Sequence, residues 1–243
     1  MSVLFGMELS ASASALHTYV VNHFGHPIHE EVEHGWSRDR KGRSQVRPDG
    51  VPVITINAAT GRTEDNVVHE LHHLYLRTEG FPFLGVQGGN EITKQFLGNL
   101  FCSIEHSIFF PEMRAQGFDL DIMLRNDCQE AHAENGCLSG FDLYQRAAWY
   151  FSVVLETEDE NLKQSIDQWF EENDTEALAR GRRMVDARFR KGQSLSAADA
   201  VQALVECSNI CFEPTFTFQL ADWRYSKRGN HNQHIAIIAV HQH

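Results

Sequence analysis

The chain has 243 residues, 42% of them hydrophobic and 22% charged, enough for one large domain or two small ones with a real core. Its 21 basic residues against 33 acidic ones leave a net charge of −12, which argues against broad attraction to nucleic acid or to an anionic membrane. No stretch approaches the roughly eighteen apolar residues of a membrane span, and the N-terminus lacks the basic start and unbroken apolar run of a signal peptide, so a cytoplasmic enzyme is expected.

Residues 9–24 read as an amphipathic helix: Leu9, Ala13, Leu16, Val20 and Phe24 recur at helical spacing, and Gly25-His26-Pro27 stops it. The next segment, to His34, alternates loosely around Ile28 and Val32 and is expected to be a short, partly exposed strand. Its histidines, with His23 and His26 before it, fit no standard metal-ligand spacing on one element. Residues 37–50 are polar and carry the one basic cluster, Arg38, Arg40, Lys41, Arg43 and Arg47, read as a solvated loop that closes on the turn Pro48-Asp49-Gly50. Val51 to Asn57 is the best strand pattern in the chain, and Pro52 near its start predicts an edge position.

A helix follows. Thr63 suits the N-cap, and Glu64 and Asp65 place negative charge at the positive end of the helix dipole. Val67, Val68, Leu71 and Leu74 give it a buried side. Among them stands His69-Glu70-Leu71-His72-His73, which contains the HExxH spacing. Residues four apart on a helix share a face, about 6 Å apart along the axis, so two neutral imidazoles there can ligate one zinc ion. Glu70, beside the first ligand, can reach a water at the metal and act as general base. His72 points to a different side.

Gly80 ends this helix, and residues 81–89 are expected to be a loop. A strongly apolar helix spans 91–113 and ends near Pro111 or Gly117. Phe96, Leu97, Leu100, Phe101, Ile104 and Ile108 define its apolar face. Glu105 lies at the margin of that face, where a carboxylate needs a cation or donors, and His106 points nearly the opposite way. A short helix is expected over 118–124. The polar stretch 126–140, with Asn135-Gly136 and Ser139-Gly140, makes the best internal boundary. Beyond it, helices are expected over 141–157, 160–172, 174–191 and 196–211, then strands over 212–220 and 234–240. The five cysteines, Cys102, Cys128, Cys137, Cys207 and Cys211, form no CxxC pair and read as reduced, mostly buried thiols.

With His69-Glu70-x-x-His73 preceded by a strand and followed by Glu105 on a later helix, residues 51–117 resemble the zincin metallopeptidases of the gluzincin type. The resemblance implies Zn2+ held by His69, His73 and Glu105, with Glu70 as catalytic base. It also implies a peptide or protein substrate that adds to the edge strand beside the helix. Thermolysin-like members carry an aspartate four residues after the ligand glutamate, where this chain has Phe109. Metzincins carry glycine and histidine where this chain has Leu76 and Glu79. Glu79 and His106 therefore stay open as alternative third ligands.

The expected fold class is α+β and mainly helical: one zincin-like domain over 1–243. A lobe over 1–125 would pack a small N-terminal sheet on the HExxH helix, and a helical lobe would follow over 126–243. Candidates for stabilising the oxyanion of peptide hydrolysis are His132, Tyr144, Tyr150 and Tyr225. The competing readings are a closed zinc site that stabilises a non-catalytic interaction protein, and a zinc hydrolase of a non-peptide bond.

Overall fold

A computed structural model of the chain describes residues 1–37, 40–87, 91–132, 137–211, 216–224 and 232–240. It is mainly helical with small sheets, an α+β chain. The chain folds as two compact units, Met1–Phe83 with Ala221–Ile235, and Leu84–Leu220 with Ala236–His243.

The first unit opens on a feature without a sequence signal, a two-residue-strand hairpin of β1 (Val3–Leu4) and β2 (Met7–Glu8). Its turn residues, Phe5 and Gly6, both have positive φ (51° and 75°), as a tight hairpin turn requires. Helix α1 (Ala11–Phe24) starts at Ser10, whose side chain accepts from Ala13 N, and stops at Gly25 in the left-handed region. Strands β3 (His29–Glu33), β4 (Gly42–Val46) and β5 (Pro52–Asn57) form a sheet in the order β3-β5-β4.

Here the structure corrects the sequence reading twice. β5 is the central strand, parallel to β3 and antiparallel to β4, with every residue buried. Pro52 is tolerated because it is the first residue of β5 and pairs only with Val46; the parallel register with β3 begins one residue later, at His29 and Val53. Part of the expected basic loop is an edge strand, β4, whose Gly-Arg-Ser-Gln sequence has no apolar alternation and depends on β5 for its pairing.

The link from β5 to helix α2 (Glu64–Thr78) is locked by polar contacts. Asn57 donates from Nδ2 to the carbonyls of Ser37 and Arg40, at 2.8 and 2.9 Å, and accepts from Ala59 N at Oδ1. Gly61 packs so closely that a Cβ there would lie 2.4 Å from Lys41 O and 2.6 Å from Asn57 N, both backbone atoms. Thr63 occupies the N-cap without a side-chain cap bond; its hydroxyl accepts from Asn66 Nδ2 instead. Val67, Val68, Leu71 and Leu74 are fully buried, as are Val53, Ile54 and Ile56 of the sheet, so α2 packs on β4 and β5 through the expected apolar side.

The second unit is built from helices. After β6 (Phe83–Gln87), in a segment expected to be a loop, α3 runs over Glu91–Ala115 and carries Pro111 inside its last turns. Helix α4 (Asp121–His132) occupies much of the polar stretch taken as a boundary, followed by a 3-10 turn at Cys137–Gly140. Helices α5 (Leu143–Glu156), α6 (Glu160–Asn173), α7 (Thr175–Phe189) and α8 (Ala197–Cys211) follow close to the expected ranges. Three begin on aspartate caps, Asp142, Asp159 and Asp174, and Asp142 with Gln145 forms a complete capping box. Ala147, Tyr150, Val153, Ile166, Phe170 and Leu178 meet in the core of α5, α6 and α7. Cys128, Cys207 and Cys211 are buried, reduced thiols, and Cys102 is an exposed one.

A third sheet takes β6, β7 (Phe216–Arg224) and β8 (Asn232–Val240) in that order. Among the described residues, no helix is long and apolar enough to cross a membrane.

Candidate metal centre

Helix α2 places His69 and His73 one turn apart on one side, as the four-residue spacing dictates. Their Nε2 atoms lie 3.1 Å apart and their rings meet at 61° with centroids 4.9 Å apart. Two imidazoles ligating one zinc at 2.0–2.1 Å with tetrahedral angles would hold their nitrogens about 3.3 Å apart, so the observed pair fits a shared ion with almost no movement. His73 is buried and His69 half-buried. His72, between them in sequence, is fully buried; desolvation, and then the neighbouring His73, push its pKa down to about 4, so its ring stays neutral.

Glu70 is 6% exposed. Its carboxylate lies against the start of β4: a Cβ on Gly42 would sit 2.6 Å from Glu70 Oε1 and 2.9 Å from its Cγ. Glycine at 42 therefore makes room for the carboxylate, a contact hidden in a run that reads as a polar loop. Gly42→Ala is expected to push the Glu70 side chain aside. If Glu70 is the base, turnover falls by about 10²-fold, the effect of a misplacement on the order of 1 Å, while metal content stays at the wild-type level. Parallel metal analysis and rate measurement check this, and unchanged turnover would separate Gly42 from the position of the base.

In the second unit, α3 carries Ser103, Glu105 and His106. Glu105 is buried, 1% exposed, rather than at the margin of a single apolar face, because Phe101, Ile104, Phe109, Phe110 and Met113 bury α3 on more than one side. His106 stacks on Phe110, with centroids 4.5 Å apart and planes at 9°, and meets Phe109 edge-on. Its Nδ1 lies 2.9 Å from Glu156 Oε1, at the end of α5. The Ser103 hydroxyl donates to the same oxygen at 2.7 Å and lies 2.8 Å from the Ser152 hydroxyl. Ser103, His106, Ser152 and Glu156 line a cavity of about 390 Å³ together with Asn99 and Trp149.

Within the first unit, one set of metal-ligating side chains comes together, His69 and His73 on α2. This set is compatible with a bound metal ion. Glu105 and His106, the candidate third ligands on α3, belong to the second unit. Glu79, the other alternative, is the exposed C-cap of α2 and accepts from the Tyr19 hydroxyl at 3.1 Å.

The oxyanion candidates lie elsewhere or outside the description. Tyr150 is a core residue: it packs edge-on against Phe170, donates to Asp167 at 2.6 Å, and its pKa is raised by burial and by that carboxylate. Tyr144 lies under the Arg180 guanidinium, 5.0 Å from its ring centre. The His132 side chain and Tyr225 lie outside the described residues. Comparison with protein-family models, with curated proteins and with solved structures gives no match.

Proposed function

We propose that the chain is a zinc-dependent peptidase of zincin type, with His69 and His73 as metal ligands, Glu105 or His106 as the third, and Glu70 as general base. The observation that carries this is the pair of Nε2 atoms 3.1 Å apart on α2 with a buried carboxylate on the residue between them in sequence. Two imidazoles and one further protein ligand would form a donor set suited to Zn2+ and leave one tetrahedral position for water or substrate, the arrangement of catalytic rather than structural zinc. Bound there, the ion would supply Lewis acidity and bring the pKa of its water towards neutrality.

The remaining work falls to residues of the chain. Glu70 takes the proton of the attacking water at its carboxylate and returns it to the leaving amine, so a single group serves as base and then as acid. Burial of Glu70 limits competition from bulk water, and Gly42 fixes its position. β4 is an edge strand whose outer side is unpaired within its sheet, and it starts at Glu70. An extended peptide adding to that edge would lie along the base.

The test is proteolysis by the purified chain. Casein and a mixed peptide library are expected to be cleaved, with cleavage abolished by a chelator and restored by added zinc. Zinc binding without cleavage of any peptide would favour the structural-zinc reading, and cleavage indifferent to chelation would remove the metal from the reaction.

A further inference from the structure

Residues 37–50 hold five basic residues and two acidic ones, in a chain whose net charge is −12. The structure treats these cations unequally. Arg47 has a carboxylate partner: its guanidinium lies 2.7 Å from Glu31 Oε1, and Glu31 also accepts from the Thr55 hydroxyl at 3.0 Å. Arg40 and Arg43 have none. Both are exposed, and among the described residues neither lies within ion-pair distance of a carboxylate. Both instead meet one indole: the Arg40 guanidinium lies 4.4 Å from the Trp36 ring centre and that of Arg43 5.8 Å from it. Two like charges gathered on one ring repel each other, and an anion beside them relieves the repulsion.

The ring and its two cations stand on a fixed backbone. Asn57 donates from Nδ2 to the carbonyls of Ser37 and Arg40, and its backbone N–H donates to Lys41 O at 2.8 Å. Arg43 lies in β4 opposite Thr55, one residue beyond the Gly42 that abuts Glu70. Successive side chains of a strand face opposite ways, so Arg43 points away from Glu70 and is not neutralised by it. The outer side of β4 is unpaired within its sheet. An edge held in place in this way lowers the ordering cost of binding a partner.

We infer that the edge formed by Trp36, Arg40 and Arg43 selects acidic peptides. An extended segment adding to β4 places aspartate or glutamate at Arg40 and Arg43, within about two residues of the bond that Glu70 addresses. The inference rests on the peptidase reading of Glu70 and names the substrate class of that site. A peptide answers the unpaired backbone donors and acceptors of an edge strand, which other polyanions do not. The acidic remainder of the chain repels such a peptide, so the basic edge also sets where it docks.

Fluorescence anisotropy on the Glu70→Gln chain tests this, with a labelled peptide alternating glutamate and threonine and its counterpart with glutamine for glutamate. The glutamate peptide is expected to bind about 10-fold more tightly, two exposed charge pairs contributing a few-fold each. The gap is expected to close at about 0.5 M salt and in the double variant Arg40→Glu, Arg43→Glu. The neutral pair Arg40→Gln, Arg43→Gln is expected to fall between, and wild-type zinc content in both double variants shows that the fold is kept. In a mixed peptide library cleaved by the wild type with zinc, aspartate or glutamate is expected within about two residues of the cut. Equal binding of the two peptides, or a gap that survives the double reversal, overturns the inference and leaves the peptidase reading intact. A single-stranded oligonucleotide that binds more tightly than the glutamate peptide overturns it as well. Acidic-peptide binding without cleavage of any library member overturns the peptidase reading, and with it the assignment of the bound peptide as substrate.

Discussion

Glu70→Gln is expected to keep its metal and lose its hydrolytic activity. The two side chains are nearly isosteric, so the amide fits the space that Gly42 leaves open and should not disturb the packing of α2. An amide cannot take the proton of an attacking water at neutral pH, so the loss falls on the chemical step. General acid–base catalysis contributes about 10²–10⁴-fold, and a residue serving in both directions should show the upper end of that range in kcat. Metal content, measured on the same preparation, should match the wild type because Glu70 is not a ligand. Residual activity within a few-fold of wild type would take Glu70 out of the mechanism, whatever becomes of the metal.

The second large effect separates His106 from Glu105. Their side chains follow one another on α3, and the proposed centre takes its third ligand from this pair. One of the variants His106→Ala and Glu105→Ala is therefore expected to weaken zinc by more than the roughly 10–100-fold of an outer partner, since it removes a ligand rather than its support, and the other to bind zinc as the wild type does. Zinc titration of both variants checks this. Loss with Glu105→Ala would give the gluzincin ligand set implied by the resemblance, and equal zinc in both would place the third ligand elsewhere. The two outcomes cannot be confused with misfolding, because each variant serves as the control for the other.

The contrast between α2 and α3 explains which parts of the site were legible in the sequence. On α2 every cue is local: Glu64 and Asp65 mark the start, Val67, Val68, Leu71 and Leu74 mark the buried side, and His69 and His73 share a side by spacing alone. On α3 the cues conflict. A single apolar face puts Glu105 at its margin and His106 opposite, yet the helix is buried on several sides, so position relative to one face does not tell which side chain meets a partner. Glu156, which holds His106, is fifty residues away and leaves no pattern near either residue.

The sheet repeats the lesson. β5 was legible from Val53, Ile54 and Ile56, but its place in the sheet was not. Pro52 argues for an edge only if it sits inside the strand, and here it opens it. β4 has no strand pattern of its own; pairing with β5 makes it a strand, and Gly42 at its start meets Glu70 for reasons that appear only in three dimensions. The helices from α5 to α8 were legible because their apolar stripes are local signals.

The most direct measurement is the metal content of the chain itself. Protein purified without chelators and analysed by inductively coupled plasma mass spectrometry should carry about one zinc per chain, and the variant with both His69 and His73 replaced by alanine should carry none. A wild type without stoichiometric metal, or a double variant that holds as much zinc as the wild type, would contradict the account at its root.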